Sequence, residues 1–492
     1  MTVRISRRLI LALALAACTE PPKPPVLTMI AVTSEDGATS IMLGETLQLA
    51  AEAKDQKGST LSPAPAFSWT TTNASVATVD ANGLVAATGG GQATITATSG
   101  TVSGGFSLTV AGSIHSTDIT TNQTWRAADN PHFVTALLDI DGVAAPVLTI
   151  EAGVEIRFRS GTGLAIADFD AGSIQANGTA SAPITMIADA TSPPKGFWTG
   201  LYIGRRAGPS ALHFVTMSHC GSASAGTSGC IHVDANAPSQ VPQVLIDHVT
   251  IQNSSTHGFI STSQAGFATG SAQLTVTGSE LDPIRLHANV AGTIPTGGTF
   301  TGNTRNVVSF SGDGRVSISQ TWPSLGIPYA PDAFINIEGT DGPTLTLLPG
   351  TEIRMASDRD FSVGTCGAGG AGSLVASGTA AAPITFTANT ATPTAGFWGI
   401  LHFECSATSA SLLDHVIVEY GGAGTSIVID GAFIHGNIGF SFDLGPMMTN
   451  TTSRFSADCG VIRDDREAWS TDFTAPALNN TFTDNPQAQC GP

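Results

Sequence analysis

The 492-residue sequence predicts an all-β protein, in which a small β-sandwich is followed by a long stack of parallel β-coils. Three observations lead to this fold class. Short stretches of alternating apolar and polar residues recur along the chain, as is typical of half-buried strands. From about residue 112 onward there is no amphipathic pattern of helix length. Two passages also recur at a nearly fixed distance, which indicates stacked repeats with a continuous core.

The N-terminus has the features of a secretory signal. Three arginines (Arg4, Arg7 and Arg8) precede an apolar run of nine residues from Leu9 to Ala17. This run is too short for a transmembrane helix, which needs about 20 apolar residues, but it fits a secretory signal. Leu15-Ala-Ala-Cys18 resembles the lipobox of bacterial lipoproteins. The resemblance implies a signal peptide at residues 1–17 and a diacylglycerol thioether on Cys18. The alternative is an ordinary secretion signal with a chance cysteine.

Residues 18–26 are predicted to form a tether. Thr19-Glu-Pro-Pro-Lys-Pro-Pro25 is dense in proline, which favours an extended polyproline spacer between the bilayer and the next domain. Position 19 is threonine and not the aspartate that tends to retain lipoproteins in the inner membrane. The resemblance therefore implies a cell-envelope protein, anchored at the outer membrane or the cell surface.

Residues 27–111 form the first predicted domain. Leu47, Leu49 and Ala51 alternate with polar neighbours, and Asn82-Gly83 is a strong hairpin signal because both residue types accept positive φ. Three segments carry a family resemblance: Gly44-Glu-Thr-Leu-Gln-Leu49, the stretch from Trp69 to Val85, and Gly91-Gln-Ala-Thr-Ile-Thr-Ala97. Together they closely resemble a group 2 bacterial immunoglobulin-like (BIG2) domain. The resemblance implies a β-sandwich without disulfides that serves as a stalk or adhesive module, and Trp69 is expected in its core.

Residues 112–492 form the second predicted domain, with two similar cassettes at about 120–256 and 317–440. Leu148-Thr-Ile-Glu-Ala-Gly-Val-Glu-Ile-Arg157 recurs as Leu345-Thr-Leu-Leu-Pro-Gly-Thr-Glu-Ile-Arg354, 197 positions later, and Gly196-Phe-Trp198 recurs as Gly396-Phe-Trp398. Tight hairpin dipeptides are scarce within the cassettes, which favours parallel coils over antiparallel strands. The cassettes resemble the right-handed, single-stranded parallel β-helix domains of bacterial surface lipoproteins. The same scaffold hosts lyases, hydrolases and adhesins, so the resemblance implies a fold and not an activity.

Charge and cysteine content limit the possible partners and the compartment. The net charge is −18 with only four lysines, which argues against a nucleic-acid partner. Beyond Cys18 there are six cysteines, an even number that suggests disulfides in an oxidising compartment. Pairing of neighbours is the simplest of the 15 possibilities, although free buried thiols remain open. The six residues are Cys220, Cys230, Cys366, Cys405, Cys459 and Cys490.

The search for chemistry yields weak candidates. Asp464, Asp465 and Glu467 form the densest acidic cluster of the second domain, and paired carboxylates are what a glycosidase needs. They also suit a solvated terminal coil. His213, His219, His232 and Asp234 lie near Cys220 and Cys230, but they lack a recognised zinc-ligand spacing, so neither a metal nor a cofactor is predicted.

Repeated residues favour structural roles over catalytic ones. Glu155 and Arg157, echoed by Glu352 and Arg354, are expected to form ion pairs on the outside of a strand. The tryptophans at 125, 198, 322 and 398 are expected to pack against the coils and not to stack on sugars. Asp139-Ile-Asp-Gly142 lacks the full calcium-loop pattern and is expected to form a turn.

The function predicted from these observations is non-catalytic. We expect a lipid-anchored surface protein that acts in adhesion, in glycan binding or as a structural spacer. The alternative is a polysaccharide lyase or a glycoside hydrolase on the same β-helix. Converging carboxylates or cations on one face would favour the enzyme, whereas a smooth face rich in threonine, serine and asparagine would favour the binding protein.

Overall fold

The structure, a computed structural model, describes residues 23–222, 229–235, 243–424, 427–429, 432–464 and 468–491. The described residues form two compact units, one ending at Ala111 and the other beginning at Gly112. Both consist almost entirely of β-strands, and the predicted fold class is confirmed. Within the described residues no helix is both long and apolar enough to cross a membrane.

The first unit is a sandwich of two four-stranded sheets, with strand orders β1-β3-β6-β5 and β2-β8-β7-β4. Its strands are β1 Leu27–Ser34, β2 Ser40–Met42, β3 Thr46–Asp55, β4 Ser68–Thr71, β5 Ala77–Val79, β6 Leu84–Ala87, β7 Gly91–Ser99 and β8 Val102–Ala111.

The sandwich core forms because alternate residues of its strands point inward. Leu47, Leu49 and Ile95 are almost fully buried, and Trp69 packs against this cluster. The turn that joins β5 to β6 contains Gly83 at φ +80°. A Cβ at this position would meet Leu49 O at 2.8 Å, so the hairpin needs glycine both for its conformation and for space.

The second unit contains 38 strands within its described residues. Those up to residue 277 are β9 Ser113–His115, β10 Gln123–Trp125, β11 His132–Val134, β12 Leu137–Ile140, β13 Val147–Ile150, β14 Glu155–Phe158, β15 Gly163–Ile166, β16 Ser173–Asn177, β17 Ile184–Ala188, β18 Gly200–Ile203, β19 Ser210–Ser218, β20 Gly229–Val233, β21 Gln243–Gln252, β22 His257–Ser261, β23 Gly266–Phe267 and β24 Ala272–Thr277.

The following strands are β25 Ile284–His287, β26 Val308–Ser311, β27 Arg315–Val316, β28 Gln320–Trp322, β29 Tyr329–Ala330, β30 Ile335–Ile337, β31 Thr344–Leu347, β32 Glu352–Met355, β33 Phe361–Val363, β34 Ser373–Ser377, β35 Ile384–Ala388, β36 Leu401–Phe403, β37 Leu412–Asp414, β38 Val416–Glu419, β39 Ile427–Ile429, β40 Ala432–Ile434, β41 Gly436–Phe440, β42 Met448–Thr449, β43 Thr452–Arg454, β44 Cys459–Arg463, β45 Thr481–Thr483 and β46 Gln487–Cys490. In the part of the chain that the structure describes, three short 3-10 turns cover Ala127–Asp129, Ala288–Thr293 and Pro476–Leu478.

These strands build a parallel β-helix. They form an 11-stranded, a 13-stranded, a 7-stranded and a 5-stranded sheet, and every pair of strands assigned to these four sheets is parallel. The β39–β40 pair is antiparallel and forms a separate two-stranded sheet. Inward side chains of successive coils form one continuous apolar column, in which Ile156, Met186 and Met217 have no exposed surface.

The two cassettes are displaced by one sheet relative to each other. Strand β14, with Glu155, belongs to the 11-stranded sheet, whereas the equivalent strand β32, with Glu352, belongs to the 13-stranded sheet. In the first cassette, the 13-stranded sheet contains the third strand of each coil (β12, β15 and β18). In the second cassette, the same sheet contains the second strand of each coil (β32, β35 and β38). Equivalent surface residues of β14 and β32 therefore lie on different sides of the β-helix.

The six cysteines form three disulfides between sequence neighbours: Cys220–Cys230, Cys366–Cys405 and Cys459–Cys490. Cys220, Cys230 and Cys459 have no exposed surface. The asparagines also satisfy buried bends: Asn303 Nδ2 donates to Val276 O at 3.0 Å, and its Oδ1 accepts from Ser279 N at 2.9 Å. Such side chains replace the hydrogen bonds that the backbone loses where a strand ends.

Candidate functional site

The outer side of the 11-stranded sheet carries four threonines in register on successive coils. Thr185 pairs with Thr216, Thr216 with Thr250, and Thr250 with Thr275. We call this set the threonine column. The residues that follow them in sequence point inward and are buried without exposed surface, namely Met186, Met217, Ile251 and Val276. The strand alternation therefore holds the threonines outward on a rigid floor.

A second row of polar residues lies beside the threonine column. Ser218 pairs with Gln252, and Gln252 with Thr277, in the same register. None of these side chains carries a charge, whereas the preceding coil presents the ion pair Glu155–Arg157, with Oε1 and Nε 2.5 Å apart. The face is therefore uncharged over four coils, with the apolar Ile187 beside Thr185 and a charged rung at one end.

The same coils also build a groove of about 490 Å³. Its floor is formed by the outward side chains of Gln175, Ala211 and Leu245, which are in register on β16, β19 and β21. The rest of its lining consists of Ala207, Gly208, Pro209, Ser210, Gln243 and Ala268, so the groove contains no charged residue. Gln175 Nε2 donates to Pro209 O at 2.7 Å, which fixes one amide at the edge of the groove.

A bend with positive φ separates the groove from the threonine column. Strands β19 and β21 pass through it at Phe214 (φ 48°) and His248 (φ 54°), whose rings stack 4.4 Å apart. Asp247 bridges two histidines here: Oδ2 is 3.1 Å from His213 Nδ1, and Oδ1 is 2.6 Å from His248 Nδ1. Burial acts to raise the pKa of Asp247, but the two hydrogen bonds together with the charges of the histidines outweigh it and lower the pKa. The bend is thus polar and ordered, and it links the two surfaces through continuous strands.

A different face carries an acidic patch of Asp118, Asp139, Asp141 and Asp168. Burial, followed by the charges of the other three aspartates, raises the pKa of Asp139 to about 6. Burial, followed by the charge of Asp141, also raises the pKa of Asp168. Asp141 Oδ2 accepts the amides of Phe169 and Asp170 at 3.0 and 3.2 Å.

The four carboxylates of the acidic patch therefore differ in their partners. Asp118 Oδ1 accepts Asp139 N at 3.0 Å, and Asp141 is held by two amides. Among the described residues, no hydrogen bond or ion pair reaches the carboxylates of Asp139 and Asp168. Asp139 and Ile140 lie in strand β12, so only Asp141 and Gly142 of the passage that the sequence suggested as a turn belong to the connection.

His232 lies on the same 13-stranded sheet as Asp139. Its strand β20 is separated from β12, the strand of Asp139, by β15 and β18. Its side chain is 8% exposed, and neither ring nitrogen has a hydrogen-bond partner among the described residues. Burial lowers the pKa of His232, against an opposing effect of Asp234. Its ring lies edge-on to Tyr202, whose hydroxyl donates to Asp234 Oδ2 at 3.0 Å.

The predicted carboxylate cluster is described only at Asp464. This residue is 2% exposed, its amide donates to Phe440 O at 3.0 Å, and its carbonyl accepts Trp469 Nε1 at 2.6 Å. Asp464 is thus part of the packed final coils and not of a solvated surface. Asp465 and Glu467 lie outside the described residues, as does the predicted lipidation site Cys18.

The structure does not bring together the histidines that the sequence suggested as possible zinc ligands. His213 bonds Asp247 on the 11-stranded sheet, while His232 lies on the 13-stranded sheet, and Asp234 accepts the hydroxyls of Tyr202 and Thr262. Within the described ranges, no group of three or more His, Cys, Asp or Glu side chains is arranged to hold a metal ion.

The repeated residues occupy structural positions. Arg354 Nε lies 2.8 Å from Glu352 Oε1, which repeats the ion pair of the first cassette. The four tryptophans have 2% exposure or less, and Trp198 stacks on Phe158 with ring centroids 3.9 Å apart. They are therefore unable to stack on a ligand at the surface.

Sequence reasoning missed the groove and the threonine column. Their residues lie 25 to 36 positions apart in sequence, on coils of unequal length, so their alignment depends on the register of the strands. One signal was available, namely the Thr-x-Thr pattern of outward positions, as in Thr275-Val-Thr277.

Comparison with known proteins identifies the first unit only. Residues 26–110 match the family model of the Bacterial Ig-like domain (group 2). No curated protein matches the chain. An Ig-like domain of this family together with three disulfides indicates an extracellular or surface protein. The chain thus combines a group 2 bacterial Ig-like domain with a parallel β-helix.

Proposed function

We propose that the protein is a lipid-anchored adhesion protein of the bacterial cell envelope, which binds an uncharged glycan without cleaving it. The anchor is the lipid on Cys18, and the Pro-rich tether with the Ig-like domain serves as the stalk. The observation that supports the binding role is the uncharged groove of about 490 Å³ on the first cassette.

The chemistry of the groove suits a neutral sugar. Gln175, Ser210 and Gln243 offer amide and hydroxyl groups for hydrogen bonds, while Ala211 and Leu245 give an apolar floor for the C–H face of a sugar ring. A net charge of −18 repels acidic polysaccharides, so electrostatics favours a neutral ligand.

A glycan array tests this proposal with the chain from Thr19 onward, expressed without the lipid anchor. Ala211→Trp fills the groove from a partly exposed position and is expected to abolish binding. Leu412→Trp is the matched control, because Leu412 is the equivalent outward residue of the second cassette. Undiminished glycan binding by Ala211→Trp, or no binding by the unaltered chain, would contradict the proposal.

The acidic patch supports a second candidate function, a glycoside hydrolase. Asp139 has a pKa raised to about 6 and no partner among the described residues, as the general acid of a glycosidase requires, and Asp168, whose charge contributes to that shift, is the candidate second carboxylate. The unpaired, buried His232 on the same sheet adds a further titratable group. Release of reducing ends from a glycan panel, abolished by Asp139→Asn but not by Ala211→Trp, would favour the enzyme over the adhesion protein.

A further inference from the structure

We infer that the threonine column is a linear binding subsite, and that its ligand is an unbranched neutral polysaccharide whose chain runs from coil to coil along the β-helix. This inference rests on the proposed glycan-binding function and names the class of ligand and its path.

The hydroxyls of the column are available to a ligand. Among the described residues, the hydroxyls of Thr185, Thr216 and Thr250 make no hydrogen bond, although all three side chains are partly exposed. The hydroxyl oxygen of Thr275 accepts Thr299 N at a long 3.4 Å. Each threonine therefore presents a free donor and acceptor beside a methyl group, the combination that a sugar hydroxyl and its neighbouring C–H can satisfy.

The spacing of the column suits a polymer. Adjacent strands of a sheet lie about 4.8 Å apart, so four threonines in register cover about 14 Å. That repeat is close to the length of one sugar unit in an extended chain. A ligand that repeats its hydroxyls at a similar interval can meet each threonine in turn, which a compact or branched molecule cannot do.

The column is also preorganised. Its β-branched side chains have few rotamers, its strands pair in unbroken register, and the floor beneath it consists of fully buried residues. Little conformational entropy is lost when a ligand binds such a surface, so weak hydrogen bonds count more fully toward affinity.

The groove and the column run side by side along the same coils, on either side of the bend. Strand β19 runs from Ala211 in the groove to Thr216 in the column, and strand β21 runs from Leu245 to Thr250. The Glu155–Arg157 ion pair closes one end of the column. Because the column has four threonines, binding should strengthen with ligand length and then level off at about four sugar units, by the same estimate of about 4.8 Å per coil.

The second cassette provides a matched control. There Thr385 pairs with the coil of Val416–Glu419, where Ile417 occupies the position equivalent to Thr216, and Ile417 in turn pairs with Thr452. The hydroxyl series is thus interrupted, and the inference expects no linear subsite on that sheet.

The experiment is calorimetric titration of the chain from Thr19 onward with linear neutral oligosaccharides of two to six units from the cello-, xylo-, laminari- and malto- series. One hydroxyl hydrogen bond contributes about 1 kcal/mol, or roughly fivefold in affinity. Thr216→Val with Thr250→Val keeps the side-chain shape and removes two hydroxyls. This variant should lose roughly 25-fold in affinity for the longer oligosaccharides, because two distinct contacts add approximately.

The outcomes separate the subsite from the function. A loss confined to Thr216→Val/Thr250→Val, with Thr385→Val/Thr452→Val unchanged, supports the inference. If the column variant binds every oligosaccharide as tightly as the unaltered chain, while Ala211→Trp abolishes binding, the groove remains the site and the inference is wrong. If the unaltered chain binds none of the four series and no glycan on the array, the proposed function fails together with the inference.

Discussion

The first coils of the β-helix contain an aromatic stack that should make them sensitive to acid. His115 lies 4.0 Å from Trp125, and His132 lies 5.4 Å from the same ring. His132 Nε2 donates to Arg126 O at 2.9 Å, so its Nδ1 is left to accept the N–H of His115 Nε2, also at 2.9 Å. The hydrogen bond from His115 therefore requires neutral His132.

Burial, followed by the charge of His132, lowers the pKa of His115 from 6.5 to about 4. Because the pKa is lower in the folded chain, the unfolded chain binds the proton first as the pH falls. The stabilisation is complete above pH 6.5 and is lost progressively as the pH falls to about 4. A difference of 2.5 pKa units corresponds to about 3 kcal/mol at 1.36 kcal/mol per unit. Burial also lowers the pKa of His132 and adds to the effect.

Hydrogen exchange measured by mass spectrometry on the peptide that covers residues 113–134 tests this prediction, with rates corrected for the intrinsic effect of pH. The protection free energy of that peptide should fall by about 3 kcal/mol between pH 7 and pH 4. The second cassette supplies an internal control, because Phe310 and Tyr329 occupy the equivalent positions around Trp322 and do not titrate in this range. His115→Phe should remove most of the pH dependence. The reasoning would be refuted if the peptide that covers Phe310 to Tyr329 lost as much protection in acid as the peptide 113–134. It would also be refuted if His115→Phe lost as much as the unaltered chain.

Three further substitutions should destabilise the fold by predictable amounts. Gly83→Ala should cost more than 1 kcal/mol in thermal unfolding of the Ig-like domain, since its Cβ would lie 2.8 Å from Leu49 O; an unchanged melting temperature would contradict this. Arg305→Ala should destabilise the β-helix by about 3–5 kcal/mol in urea, because Asp282 has no exposed surface and would lose its two hydrogen bonds of 2.7 and 2.6 Å; Asp282→Asn combined with Arg305→Ala should recover part of the loss. Trp398→Ala should lower the free energy of unfolding of the β-helix by about 3–5 kcal/mol, because it leaves a cavity in the core. A smaller loss in the same urea titration would mean that the core collapses around the cavity.

The sequence predicts the fold well because its signals are local. The alternation around Glu155 and Arg157 follows from the two-residue period of a strand, and its recurrence at Glu352 and Arg354 reveals the stacked coils. The displacement of the cassettes by one sheet could not be predicted. The displacement depends on how many strands the segment between the cassettes adds to each side of the β-helix. The spacing of 197 to 200 residues between the repeats does not give that number.

The candidate site was harder to predict because it depends on register. Gln175, Ala211 and Leu245 meet only because β16, β19 and β21 pair with a particular alignment, and coils of different lengths hide that alignment in the sequence. The sequence instead drew attention to the charges near Asp464. That residue is buried among the final coils, so charge density alone was a poor guide to exposure.

The displacement of the second cassette limits how many sites a single flat ligand can engage. Residues at equivalent positions of β14 and β32, such as Glu155 and Glu352, face different directions because these two strands belong to different sheets. A polymer lying against either of these sheets meets this strand in only one copy of the repeat. The internal duplication therefore gives no avidity toward such a surface, and each copy is free to diverge toward a ligand of its own.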